Sequence, residues 1–203
     1  MIIGVTGGVG SGKSTILGIL NECYGAHIIE ADAVAKELME PGRESYKLIV
    51  EAFGEEILVP GEGERPIDRP ALAGVVFDSP QKLDLLNSLT HPQVKKEIVR
   101  RIRTIYAIDS KALIVIEAAL LIEANYLDIL DYLWVVLTDR EVRIERLAAS
   151  RGYSREKSES VMASQLSDDE FRAHADFVID NSGTSEESAQ QIEQGLRQCG
   201  YLY

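Results

Sequence analysis

The chain has 203 residues, 45% of them hydrophobic and 27% charged, enough to bury one compact core with room for a smaller lobe. Its 21 Lys and Arg face 33 Asp and Glu, a formal charge of −12, which argues against a general nucleic-acid or anionic-membrane binder, since both need a cationic face. Cys23 and Cys199 lack CxxC spacing, His27, His91 and His174 form no metal-binding cluster, and no apolar run reaches membrane-span length, so a disulfide scaffold, a structural zinc site and a spanning helix are all disfavoured.

The N-terminus has no basic stretch followed by a secretory apolar core, and with so few thiols a reduced, cytoplasmic setting is expected. Nothing in the sequence indicates an oligomeric state. Any anionic ligand must be held by a local site working against the global field.

In chain order, Ile2–Thr6 is a short apolar run ending in a glycine cluster. Ala26–Glu30 is a second run, followed by Ala31 and Asp32. Ala112–Glu117, Tyr132–Thr138 and Asp176–Asp180 follow as strands. Their apolar residues are continuous rather than alternating, which predicts burial on both faces and so a parallel sheet flanked by helices. Helix signals fill the gaps. Ser79 before Pro80 opens one helix, Val94, Ile98, Ile102 and Ile105 recur at helical spacing behind an expected break at Pro92, and Thr184 with Glu187 forms a capping box for a last helix that Gly200 closes. Pro60–Pro66 reads as an exposed loop. Roughly eighty residues separate the second and third strands, against the dozen or so that a simple crossover needs. Residues 33–109 are therefore expected to be a helical lobe, inserted into a single domain spanning 1–203 and placed to receive a second substrate.

Gly7-Gly8-Val9-Gly10-Ser11-Gly12-Lys13-Ser14 fits G-x-x-x-x-G-K-[ST], with Thr15 next. Glycines let the loop curl until backbone N–H groups share one concavity, and the helix that follows adds the positive end of its dipole. Gly8, Gly10, Ser11, Gly12, Lys13, Ser14 and Thr15 are the expected ATP cradle. Lys13 would serve the β- and γ-phosphates, and Ser14 would ligate Mg²⁺. The plain alternative is a glycine-rich turn. The expected class is an α/β P-loop NTPase fold, and no N-K-x-D motif marks a guanine switch.

A small-molecule kinase also needs a base, a substrate lobe and cations over the transferring group. Asp32, just past the second strand, suits the base; the bland reading is a helix N-cap for Ala33 onward. Arg140, Arg143, Arg146, Arg151 and Arg155 cluster in 139–166, read as a helical lid with Arg143 and Arg146 on ATP. The alternative is a solvated face paired with Glu141, Glu145 and Glu156. Glu117, ending its strand, is a candidate to organise Mg²⁺; Asp139 is a weaker rival.

Taken together these residues resemble the dephospho-coenzyme A kinase family over nearly the whole chain. The resemblance runs from Gly4 to Thr15, through Glu30-Ala31-Asp32, Pro41-Gly42, Ile67-Asp68-Arg69, Asn87 and His91-Pro92, to Gln165, Asp180-Asn181 and Gly183. It implies phosphoryl transfer from ATP, with Mg²⁺, to the ribose 3′-hydroxyl of dephospho-coenzyme A, the last step of coenzyme A biosynthesis. It also implies that Asp32 is the base and that Asp32, Arg69 and His91 help receive the acceptor; without the resemblance, His91 before proline reads as a cap. The family's Asp-x-Pro-Leu-Leu-x-Glu segment stands here as Glu117-Ala118-Ala119-Leu120-Leu121-Ile122-Glu123, and its lid pattern as Arg143, Arg146 and Ser150, with Arg151 one place late. A P-loop kinase for another nucleoside or small alcohol, or a nucleotide-binding regulator with weak catalysis, are the competing readings.

Overall fold

Each predicted apolar run becomes a strand, the first at full length and the other four shortened by a residue or two at one end. The computed structural model describes residues 1–77 and 79–202. In chain order the elements are β1 (Ile2–Thr6), α1 (Lys13–Tyr24), β2 (His27–Glu30), α2 (Ala31–Leu38), α3 (Glu44–Phe53), α4 (Arg69–Phe77) and α5 (Pro80–Ile108). Then follow β3 (Ile114–Glu117), β4 (Tyr132–Leu137), α6 (Arg140–Arg151), α7 (Arg155–Ala163), α8 (Asp168–His174), β5 (Phe177–Asp180) and α9 (Ser185–Gln198).

The chain divides into two compact units. The first, Met1–Ile29 with Ile108–Tyr203, carries a sheet of order β2-β3-β1-β4-β5. β1 pairs in parallel with β3 and β4, and β4 with β5. The three inner strands are almost wholly buried, whereas β2 and β5 show exposed or half-buried positions, as edge strands should. Ile3, Val5, Leu113, Val115, Trp134 and Val136 form one core with Ile16 and Leu20 of α1 and Ile192 and Leu196 of α9.

Close packing on that face sets a requirement at Gly195. A Cβ there would lie 2.8 Å from the Trp134 ring and 2.9 Å from Phe177, so α9 can cross the sheet at this height only without a side chain. Gly195→Ala is expected to lose about 1–3 kcal/mol despite the better helix propensity of alanine, because overpacking outweighs it. Chemical denaturation of the two proteins checks the sign.

The Thr184–Glu187 capping box forms in both directions, and Gly200 at φ 72° follows the last turn of α9.

The second unit, Glu30–Ala107, is helical. Ile49, Phe53, Ile57, Leu58, Ile67 and Leu72 form its core, and an antiparallel bridge between Leu58 and Ile67 closes the exposed loop 60–66. Arg101 joins Glu37 of α2 to Glu97 of its own helix. Hydrogen bonds, first from Arg100 and also from Arg101, hold the Glu97 carboxyl down to about 2.

Three expectations change here. The break at Pro92 is absent: α5 is one helix of 29 residues through that proline. Pro92 removes one intrahelical donor, but Val94, Ile98 and Ile102 bury a continuous stripe beyond it, and apolar burial outweighs a single hydrogen bond. His91 is therefore a half-buried mid-helix residue and not a cap. Asp32 is not an N-cap either, because α2 begins at Ala31 with Glu30 in the capping position.

Candidate active site

The site is built on the turn from β1 into α1. Gly7, Gly10 and Gly12 take φ values of 151°, 76° and 80°, which side-chain-bearing residues rarely adopt. Each also faces a close neighbour. A Cβ on Gly7 would strike the Val136 carbonyl, and one on Gly12 would strike the Asn181 side chain. The loop is thus held shut from behind.

α1 then starts at Lys13 with a left-handed Gly12 before it, no side-chain cap and no acidic residue in its first turn. A helix N-terminus with bare amides and no competing carboxylate is suited to phosphate. Ser14 and Thr15 are exposed on that turn. The Lys13 ammonium donates to the Gly7 carbonyl at 2.9 Å and lies 3.7 Å from the Glu117 carboxylate at the end of β3. Lys13, Ser14 and Glu117, singled out from scattered positions, therefore belong to the same unit, two of them in direct ion-pair contact.

Several residues outside the loop set its shape. Thr138 Oγ1 and Asn181 Nδ2 both donate to the Ser11 carbonyl, at 2.9 and 2.8 Å. The Val9 amide donates to Gln165 Oε1 at 2.8 Å, and the Val9 carbonyl accepts from Arg143 Nε at 3.0 Å. Arg143 is buried, its guanidinium packs on Gly8, and its second contact is Asp168 at 3.5 Å. Burial pushes its pKa down, with the Asp168 carboxylate acting against that. Arg146 donates from Nη2 to the Asn181 carbonyl at 2.9 Å, while its buried Nη1 has no hydrogen-bond partner among the described residues. That nitrogen would be 3.1 Å from a Cβ on Gly12, so it sits directly over the loop.

The arginines of 139–166 thus divide into two groups. Arg143 and Arg146 turn toward the loop. Arg140 and Arg155 lie on the solvated face, paired with Glu141, as the alternative reading expects, and also with Glu159. Arg151 lies over the Tyr153 ring at 5.9 Å. In the helical unit, Asp32 is an exposed residue in the first turn of α2. Arg69 opens α4, half-exposed and 3.9 Å from Glu40.

Gln165 and Asn181 carry part of the family resemblance, but nothing in the sequence assigns either a task. Their polarity next to apolar positions was the available signal; their target, a backbone atom far away in the chain, was not.

A parallel sheet whose central strand feeds this loop defines the P-loop kinase fold. Residues 1–187 match the family described as CoaE, dephospho-CoA kinase. A dephospho-CoA kinase of Geobacter metallireducens is 42% identical over 192 residues, covering 95% of this chain and 93% of the relative. Among solved structures, a Thermus thermophilus protein superposes with a TM-score of 0.82 at 29% identity, covering 98% of this chain and 96% of its own. The dephospho-CoA kinase of Campylobacter jejuni superposes at 0.71 with 24% identity, over 97% and 96%, a likeness of fold. The chain belongs to the dephospho-CoA kinase family, the phosphotransferases of the last step of coenzyme A biosynthesis.

Proposed function

We propose that the chain transfers the γ-phosphoryl group of ATP to the ribose 3′-hydroxyl of dephospho-coenzyme A, giving coenzyme A and ADP. The observation that carries this is the uncapped start of α1 beneath a glycine loop, with Lys13 at its mouth, in a chain of this family. In the reaction, Asp32 accepts the proton as the acceptor O–H bond breaks. The acceptor oxygen bonds to the γ-phosphorus, and ADP departs with the electron pair of the bridging P–O bond. Lys13 neutralises charge on the β- and γ-phosphates, where preorganised cations act most strongly.

The Ser14 hydroxyl and the Glu117 carboxylate are hard oxygen donors of the kind Mg²⁺ takes, and they fit that ion as the partner of ATP. Ser14 would hold it directly and Glu117 would organise it; the bound ion supplies positive charge to the transferring phosphoryl group. Arg146, whose nitrogen over Gly12 has no partner among the described residues, would touch nucleotide, whereas Arg143 would serve ATP through the loop it braces. Residues 139–166 act as the lid. Arg69 and His91 of the helical lobe help receive the acceptor. No helix among the described residues is long and apolar enough to cross a membrane. Both cysteines are free thiols, as a cytoplasmic enzyme would keep them.

ADP release measured with dephospho-coenzyme A, with a panel of nucleosides and small alcohols, and with no acceptor tests the reading. Turnover with dephospho-coenzyme A alone is the expected result. Tight ATP binding without acceptor-dependent turnover would overturn it and favour a regulator.

A further inference from the structure

Asn181, the residue after β5, is 3% exposed, and each of its polar groups is engaged. Its amide donates to the Leu137 carbonyl at 2.8 Å, extending the β4–β5 ladder into the loop. Its Oδ1 accepts from the Ser188 hydroxyl of α9 at 2.9 Å, which leaves Nδ2 facing the P-loop. Nδ2 donates to the Ser11 carbonyl at 2.8 Å and reaches the Gly12 carbonyl at 3.5 Å. Its own carbonyl accepts from Arg146.

The planarity of the peptide bond gives these contacts a consequence. In a trans peptide the C=O and the following N–H point in opposite directions. A donor that holds the Ser11 carbonyl from behind therefore aims the Gly12 N–H forward, into the phosphate cradle. The same residue fixes Arg146 above Gly12. We infer that Asn181 is a positioning residue for nucleotide: it aims the Gly12 amide of the P-loop and sets Arg146 over it as one assembly. A carboxamide is required because one planar group must donate to the loop and accept from Ser188 together. Aspartate keeps the acceptor and the size but turns a negative oxygen toward two carbonyls.

This rests on the loop being the ATP site, so the readout is ATP binding by calorimetry, which needs no acceptor, alongside thermal unfolding. Asn181→Asp is expected to weaken ATP binding by about tenfold or more, the effect of one well-aimed hydrogen bond or slightly more. Its KM for dephospho-coenzyme A should stay within about twofold of wild type, a split that a general loss of structure would not give. Ser188→Ala breaks the same buried network on its far side; it should lower the unfolding temperature yet leave ATP affinity within about twofold. If Asn181→Asp does not fold, Asn181→Ser carries the same test with a smaller neutral group. Unchanged ATP affinity in the folded Asn181 variant, or an equal loss in Ser188→Ala, would overturn the inference while wild-type binding stands. Wild-type protein that fails to bind ATP would overturn the reading of the loop itself.

Discussion

Asp32→Asn is expected to keep ATP affinity within about twofold while turnover with dephospho-coenzyme A falls by about 10²- to 10⁴-fold, the usual worth of a positioned general base. Asparagine preserves size and hydrogen-bonding reach but cannot take a proton. The structure makes this a clean substitution. Asp32 is exposed, and the cap of α2 is Glu30, so the carboxylate is not needed to start the helix. Its remaining structural value is that of an acidic residue in a first turn, about 0.3–1 kcal/mol, so the unfolding temperature should move little. Steady-state kinetics and calorimetry on the same preparation decide the matter. Turnover within about threefold of wild type would remove Asp32 from the chemistry and leave it a helix-dipole residue.

Lys13→Met is expected to lower kcat by about 10²- to 10³-fold and to raise the KM for ATP as well, because in the proposed reaction the ammonium would meet phosphate in both the ground and transition states. This site has a complication. Lys13 also faces Glu117 at 3.7 Å, with both side chains mostly buried, and removing one charge of such a pair destabilises by leaving the other uncompensated. Lys13→Met combined with Glu117→Gln separates the effects. The double variant should recover thermal stability relative to Lys13→Met but not turnover. Recovery of turnover together with stability would show that Lys13 acts on the fold and not on phosphate.

The chemistry of the loop was legible because it is local. Eight consecutive residues carry the glycines, the lysine and the hydroxyl, and backbone sterics alone dictate the curl. The inner strands were legible for a related reason, since burial on both faces leaves no polar position to break an apolar run. Pro92 was misread because its local penalty is real but small beside the stripe of Val94, Ile98 and Ile102, whose burial depends on the rest of the protein. The partners of the α6 arginines were not legible for the same kind of reason. Helical spacing predicts which residues share a face, but not whether that face meets Glu159 or the carbonyl of Val9.

By itself the sequence determined that a parallel α/β sheet would present a glycine-lined phosphate cradle, and it determined the family, because both are written in contiguous runs. Tertiary structure decided what stands behind that cradle. Arg143 reaches Val9 across 134 residues, Gln165 across 156, and Asn181 reaches Ser11 across 170. Hydrogen bonds over such separations leave no periodicity or spacing to read. They exist only once the sheet has brought the ends of β1, β4 and β5 side by side, so a chain of net charge −12 can still brace one glycine loop with Arg143, Gln165 and Asn181.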